Sequence, residues 1–202
     1  MDSEEKAVYL TFDDGPIPVV TPWVLGVLER YGVKATFFMV GDNIRKYPEE
    51  FRQVVEQGHR IGNHTFNHIR GFSRRYFTSG SYLENTLQTD RLMQELREKA
   101  GLPPLPPDFR PLFRPPHGHM GWAQYMRLKR TYRIVMWDLV TRDYSKKLRP
   151  PQVLANVMRY ARPGSIITFH DSLKSWDNGN LTYALPRAIE FLQEEGYEFK
   201  LL

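Results

Sequence analysis

Strand-like and helix-like segments alternate along the whole of this 202-residue chain, and that alternation constrains the fold more than any other feature. Short apolar runs suited to strands occur at Ala7 to Phe12, Ala35 to Val40, Arg60 to Asn63, Phe109 to Phe113, Tyr132 to Trp137, Ser165 to Phe169 and Glu198 to Leu202. Stretches of helical period lie between them, at Thr21 to Tyr31, Pro48 to Gln57, Ser81 to Ala100, Trp122 to Lys129, Gln152 to Tyr160 and Leu181 to Glu195. A tight turn can join antiparallel strands, but parallel ones need a crossover, usually a helix. Strict alternation therefore predicts an α/β fold with parallel strands. The short continuous apolar runs predict a sheet covered on both faces. About seven such units fit either an open doubly wound sheet or a barrel short of the usual eight. The chain contains no internal repeat. Strand-helix units continue on both sides of the Pro-rich stretch Gly101 to Gly118, which reads as a stiff connection, so residues 1–202 are expected to form a single domain.

Several function classes drop out early. The chain has no cysteine, which excludes disulfides, thiolate metal sites and a cysteine nucleophile. Neither a G-x-G-x-x-G nor a P-loop follows the first strand, which argues against nucleotide binding. No run approaches the ~18 apolar residues of a membrane span. Met1 to Lys6 (MDSEEK) lacks the basic and apolar regions of a signal peptide. As given, the chain reads as cytoplasmic, with the cell envelope left open if a preceding segment has been removed. The net charge of +5 groups partly at Arg74-Arg75, Arg127 to Arg133 and Lys146 to Arg149. These groups sit in no nucleic-acid module and the aromatics form no repeated stacking pattern, so solvated surface is preferred and no nucleic-acid partner is expected.

Loops leaving the carboxyl ends of parallel strands converge on one rim, where function usually sits. Asp13 and Asp14 leave the first predicted strand, His64 and His68 the third, "FRPPHG" the fourth, Asp143 the fifth, and His170-Asp171 the sixth. His64 and His68 are four apart, which places both imidazoles on one face if a helical turn begins after Asn63. Such a pair is often a surface accident. With an aspartate on the same rim, however, it makes three protein ligands, the number that leaves a divalent metal open to water and substrate. Imidazole and carboxylate suit several metals, so zinc is a preference rather than a deduction. Two carboxylates as close as Asp13 and Asp14 repel each other, and a cation on one of them removes that penalty. The other is then free to accept a proton from water. A helix cap or an Asx turn remains the alternative for either aspartate alone.

Five motifs occur in order: "TFDDGP" (from Thr11), "HTFNH" (His64 to His68), "RPPHG" (Arg114 to Gly118), "TRDY" (Thr141 to Tyr144) and "TFHD" (Thr168 to Asp171). Together with "KATFFMVG" (Lys34 to Gly41) and "GHRIGNH" (Gly58 to His64), they make the chain resemble the NodB-type polysaccharide deacetylases of carbohydrate esterase family 4 over nearly its whole length. The resemblance implies a distorted, incomplete (β/α) barrel of about seven parallel strands. It implies a hydrolase that removes N-acetyl groups from an amino-sugar glycan, with one divalent metal, zinc before cobalt or nickel. Asp14, His64 and His68 would hold the metal, Asp13 would be the general base with Arg114 as its partner, and His170 would be the general acid oriented by Asp143. The backbone N–H of His117 would help stabilise the oxyanion.

Three positions depart from the family pattern: His117 where Tyr is usual, Tyr144 where Trp is usual, and Thr168 where Leu is usual. By resemblance, Pro116, Tyr144 and Thr168 belong to the substrate pocket, so the acyl group or sugar accepted is the open question. His119 reads as a solvated loop histidine, and His59 as structural. Two other readings stay in play. One is a glycan-binding protein of this fold with little or no turnover. The other is a phosphoesterase, disfavoured because a dinuclear site needs more carboxylates than this rim offers.

Overall fold

Successive side chains on an extended strand point to opposite faces. Along β1 (Ala7–Asp13) this separates Val8, Leu10 and Phe12, which join the larger apolar cluster, from Tyr9, Thr11 and Asp13 on the other face. The computed structural model describes residues 6–71, 79–102 and 109–202. Seven more strands follow β1: β2 (Thr36–Met39), β3 (Arg60–Asn63), β4 (Leu112–Phe113), β5 (Arg133–Ile134), β6 (Leu139–Val140), β7 (Ile166–His170) and β8 (Glu198–Phe199). Every pairing is parallel. The order is β5-β4-β3-β2-β1-β7-β6, with β8 added against Ala7 and Val8 of β1. Among the described residues the end strands β5 and β6 do not pair with each other, so the barrel is incomplete.

Helices α1 (Val20–Arg30), α2 (Gly41–Lys46), α3 (Pro48–Glu56), α4 (Ser79–Lys99), α5 (Trp122–Leu128), α6 (Pro150–Tyr160), α7 (Leu173–Asp177) and α8 (Asn180–Glu194) connect the strands. Their apolar stripes follow the 3.6-residue period. In α8, for example, Leu181, Ala184, Leu185, Ala188, Ile189 and Leu192 are buried. These stripes cover the outer face, where Phe12 stacks on Phe37 at 4.9 Å and lies 6.2 Å from Phe169. Inside the barrel a smaller cluster of Phe38, Leu112, Val135 and Leu202, flanked by Tyr9 and Ile166, forms the floor. Gly62 makes room for it, because a Cβ there would come within 2.5 Å of the Phe38 ring.

All seven predicted strands are present, several of them shorter than expected. Phe109 to Phe113 contracts to Leu112–Phe113, and Tyr132 to Trp137 contracts to Arg133–Ile134. Pro111 lacks an N–H and Pro115-Pro116 cannot extend the ladder, which limits the pairing on both sides. The sequence reading omitted β6, α2 and α7. As a result Asp143 follows β6 rather than the fifth strand. The pair Arg74-Arg75 and residues 103–108 of the Pro-rich stretch lie outside the described residues.

Candidate active site

The rim is built from backbone that ordinary residues rarely adopt. Asp14, Thr65, His68, His117 and Arg142 all have positive φ, at 84°, 64°, 51°, 58° and 63°. Non-glycine residues in this region carry local strain, which surrounding contacts must hold in place. The contacts are visible. Gly15 donates its N–H to Asp171 Oδ1 at 3.0 Å, Thr21 donates to Asp171 Oδ2 at 2.7 Å, and Asn43 Nδ2 donates to the Asp14 carbonyl at 2.8 Å. The turn after β1 is thereby clamped from β7 and α2. Gly15 is required because a Cβ there would lie 1.9 Å from the Asp171 carboxylate.

His64 and His68 do not sit on a helical turn as expected. They belong to a bent loop whose left-handed residues, Thr65 and His68, bring the two rings to 5.1 Å between centroids. α4 supports this loop. Asn85 accepts from the backbone N–H of Phe66 at 2.9 Å, and Asn63, held by Asp90 at 2.6 Å, accepts from the N–H of Thr65 at 2.8 Å.

Asp14 Oδ1 lies 3.1 Å from His68 Nε2 and 3.8 Å from His64 Nε2. Ligand atoms at ~2.0–2.1 Å around a tetrahedral ion are about 3.3 Å apart, so this set fits one small divalent cation with modest adjustment. One donor per residue of the three falls within 4.8 Å of the others. His64 is also in the right tautomer. Its Nδ1–H donates to the Arg114 carbonyl at 2.8 Å, leaving the lone pair of Nε2 turned to the cluster. Burial pushes His64 down to about 4, so the imidazole is neutral at physiological pH, the form that ligates metal. Burial works to raise Asp14, but the hydrogen bond with His68 and the charges of His170, His68 and His64 outweigh it and hold the carboxyl below its usual range.

Asp13 and His170 flank this set. They are register partners on β1 and β7, so their side chains share the interior face. Arg114 is fully buried and donates from Nη1 to Asp13 Oδ1 at 2.6 Å. Asp13 Oδ2 has no hydrogen-bond partner among the described residues. On the other side, His170 Nδ1–H donates to Asp143 Oδ1 at 2.8 Å and the His170 backbone N–H donates to Asp143 Oδ2 at 2.8 Å. Burial alone would lower His170. The charge and hydrogen bond of Asp143, with the charges of Asp14 and Asp13, instead raise it to about 9. Tyr144 sets its ring edge-on to His170 at 4.8 Å and is 41% exposed. Pro116 is buried. His117 is exposed, packs on His68 at 4.7 Å, and has a backbone N–H with no partner among the described residues. His119 is exposed in the same loop. Thr168 is 1% exposed, and its hydroxyl is turned down to Thr11 and Arg114. A cavity of about 310 Å³ opens beside Asp14 and His68 toward Asp42, Asn43 and Asn67.

The polysaccharide deacetylase family model matches residues 1–130. The chain belongs to the polysaccharide deacetylase family. A peptidoglycan-N-acetylglucosamine deacetylase of Bacillus cereus is 34% identical to this chain over 200 residues, spanning 98% of this chain and 86% of the relative. A chitooligosaccharide deacetylase of Azorhizobium caulinodans is 32% identical over 210 residues, spanning 98% and 93%. The solved structure of BA3943 of Bacillus anthracis, described as a CE4 family pseudoenzyme, superposes with a TM-score of 0.79 at 25% identity, covering 97% of this chain and 63% of that chain.

Asp171 is a residue the sequence reading left without a role, because it supports backbone rather than chemistry. Burial pushes it up to about 8, against the hydrogen bonds from Thr21 and Gly15. Above about pH 8, where the carboxylate accepts from both, Asp171→Asn would turn an amide donor toward one of these donors, so a loss of about 1–3 kcal/mol in stability is expected from urea unfolding there. An unchanged midpoint would show that the clamp carries no net stability. The His170–Asp143 pair has a pH signature. Its raised pKa means that its stabilisation is full below about pH 6.5 and is lost as pH rises through about 9. In metal-free protein, unfolding free energy should fall over that window, and Asp143→Asn should flatten the slope.

Proposed function

We propose that this chain hydrolyses N-acetyl groups from a glycan containing N-acetylglucosamine, as a single domain, with a divalent metal at Asp14, His64 and His68. The observation that carries the reading is the register pairing of Asp13 with His170 beside the three metal donors. One is bound to a guanidinium and offers a free oxygen. The other is held protonated at neutral pH, its Nδ1 bound to Asp143 and its Nε2 without a partner among the described residues.

Amide hydrolysis needs a proton taken from water, a place for oxyanion charge and a proton for the departing amine. Asp13 Oδ2 takes the water proton as oxygen adds to the acyl carbon. The His117 N–H faces the developing oxyanion. When bound, the cation supplies Lewis-acid polarisation of the acyl oxygen and activates a water at neutral pH. His170 Nε2–H then protonates the amine nitrogen as the C–N bond breaks, releasing acetate and a free amino sugar. Tyr144 and Pro116 flank the acyl group, and the cavity toward Asn43 and Asn67 admits part of the glycan. Zinc suits two imidazoles and a carboxylate best, with cobalt and nickel as substitutes.

Acetate release from N-acetylglucosamine oligomers and from peptidoglycan, after chelation and with Zn²⁺, Co²⁺ or Ni²⁺ restored, tests the reading. Metal-dependent release supports it. Glycan binding without release under any metal establishes instead a binding protein of this fold.

A further inference from the structure

β1 and β7 pair Thr11 with Thr168 and Asp13 with His170. Residues two apart on a strand share a face, so these four side chains form two rungs inside the barrel. Asp13 and His170 make the upper rung, and Thr11 and Thr168 lie directly beneath it. The lower pair is buried, at 0% and 1% exposure, with hydroxyl oxygens 3.0 Å apart. Arg114 Nη1, which holds Asp13, lies 2.9 Å from Thr11 Oγ1 and 3.2 Å from Thr168 Oγ1.

The proton directions follow from what each group can donate. The Ile167 carbonyl, 3.1 Å from Thr11 Oγ1, can only accept, so Thr11 spends its one proton there. The bond between the hydroxyls therefore runs from Thr168 to Thr11. Both oxygens are then left to accept from Arg114. Of the two protons on Nη1, one serves Asp13 and the other is shared by the threonines. The remaining bonds of the guanidinium, Nε to the Val135 carbonyl at 3.2 Å and Nη2 to the Met136 carbonyl at 2.9 Å, with the Phe38 ring at 4.1 Å, fix its plane. The partners of Nη1 itself are Asp13 and the two threonine hydroxyls, so the threonines hold the one corner of this rigid group that meets the carboxylate.

We propose that Thr11 and Thr168 are positioning residues: their hydroxyls place the Arg114 guanidinium and, through it, orient the Asp13 carboxylate. The proposal rests on the reading of Asp13 as base. It replaces contact with the acyl group as the role of position 168, because a side chain 1% exposed with its hydroxyl turned inward offers substrate almost no surface.

The test is kcat and KM for acetate release by metal-loaded wild type, Thr168→Val, Thr168→Ser, Thr11→Val and Arg114→Lys with and without Thr168→Val, each with metal content and melting temperature recorded. Valine keeps the shape and removes the hydroxyl. Thr168→Val and Thr11→Val should each lower kcat roughly 10-fold or more, with KM within about twofold and metal content unchanged, as a misaligned base predicts. Thr168→Ser should restore kcat. In Arg114→Lys, Thr168→Val should have no further effect, since both act through the same group. Wild-type kcat in Thr168→Val, or a changed preference between acetyl and propionyl substrates with kcat retained, overturns the proposal. So does an effect that adds in full to that of Arg114→Lys. If Thr168→Val does not fold, Thr11→Val decides by the same criterion. A wild type that releases no acetate under any metal overturns the deacetylase reading itself, and this proposal with it.

Discussion

Asp13→Asn should lower kcat for deacetylation by roughly 10²- to 10⁴-fold, the range of a lost general base, while bound metal stays at the wild-type level. The two adjacent aspartates invite this contrast because their surroundings differ. Asp14 Oδ1 meets both imidazoles, whereas Asp13 meets Arg114 and leaves Oδ2 free. Asparagine at 13 keeps the size and an oxygen for Arg114 but cannot take up a proton. Asparagine at 14 exchanges an anionic ligand for a neutral one, so metal affinity should fall and activity should return in part at high metal concentration. Mass spectrometry of bound metal, with rates measured against metal concentration, separates the two. If Asp13→Asn empties the site while Asp14→Asn keeps it filled, the roles are exchanged. If neither substitution slows acetate release, the adjacent carboxylates are structural and the mechanism fails.

The second large effect is expected at the histidines. His64→Ala and His68→Ala each remove one of the three proposed protein ligands, and the loss of affinity should exceed the ~10- to 100-fold typical of an outer partner. The two should not be equal. His64 is buried and locked by the Arg114 carbonyl, so its loss also leaves that carbonyl without the imidazole and should lower the melting temperature. His68 is a third exposed, and among the described residues its polar partner is the Asp14 carboxylate, so its loss should be confined to the metal site. Equal metal binding in wild type and both variants, measured by equilibrium dialysis, would falsify the assignment. The fold should persist without metal in every case, because a core of this size does not depend on an ion as small zinc modules do.

The parallel α/β class was legible in the alternation of apolar runs and helical stretches, because both periodicities persist over enough residues to be counted. β6 was not, since two residues, Leu139 and Val140, carry no period at all. The same limit hid α2 and α7, at six and five residues. At the candidate site, the residues to which we assign chemistry stood out as ionisable groups at strand ends. Those that hold the loops did not. Asn85 and Asp90 are spoken for by tertiary contacts to Phe66 and Asn63, and nothing in α4 itself distinguishes them from solvated helix polar residues. The helical turn expected at His64 failed for a related reason. Spacing by four brought the rings together, but through two left-handed residues that only the supporting bonds make tenable. Thr168 shows the reverse. Its register was implicit in the strand, yet its direction became clear only once Arg114 was seen beneath the site.

β1 pairs with three strands, β2, β7 and β8, and is the only described strand to do so. Local opening is cheapest at short edge elements such as β5 and β6 and dearest where a strand is held from both sides. The backbone amides of Tyr9 to Asp13 should therefore exchange with deuterium only through global unfolding, while those of β5 and β6 exchange sooner. The carboxylate pair thus stands at the end of the segment that is last to let go. Under rising urea Asp143, which follows the edge strand β6, should let go before that pair does, so catalysis should fade ahead of the cooperative loss of the fold.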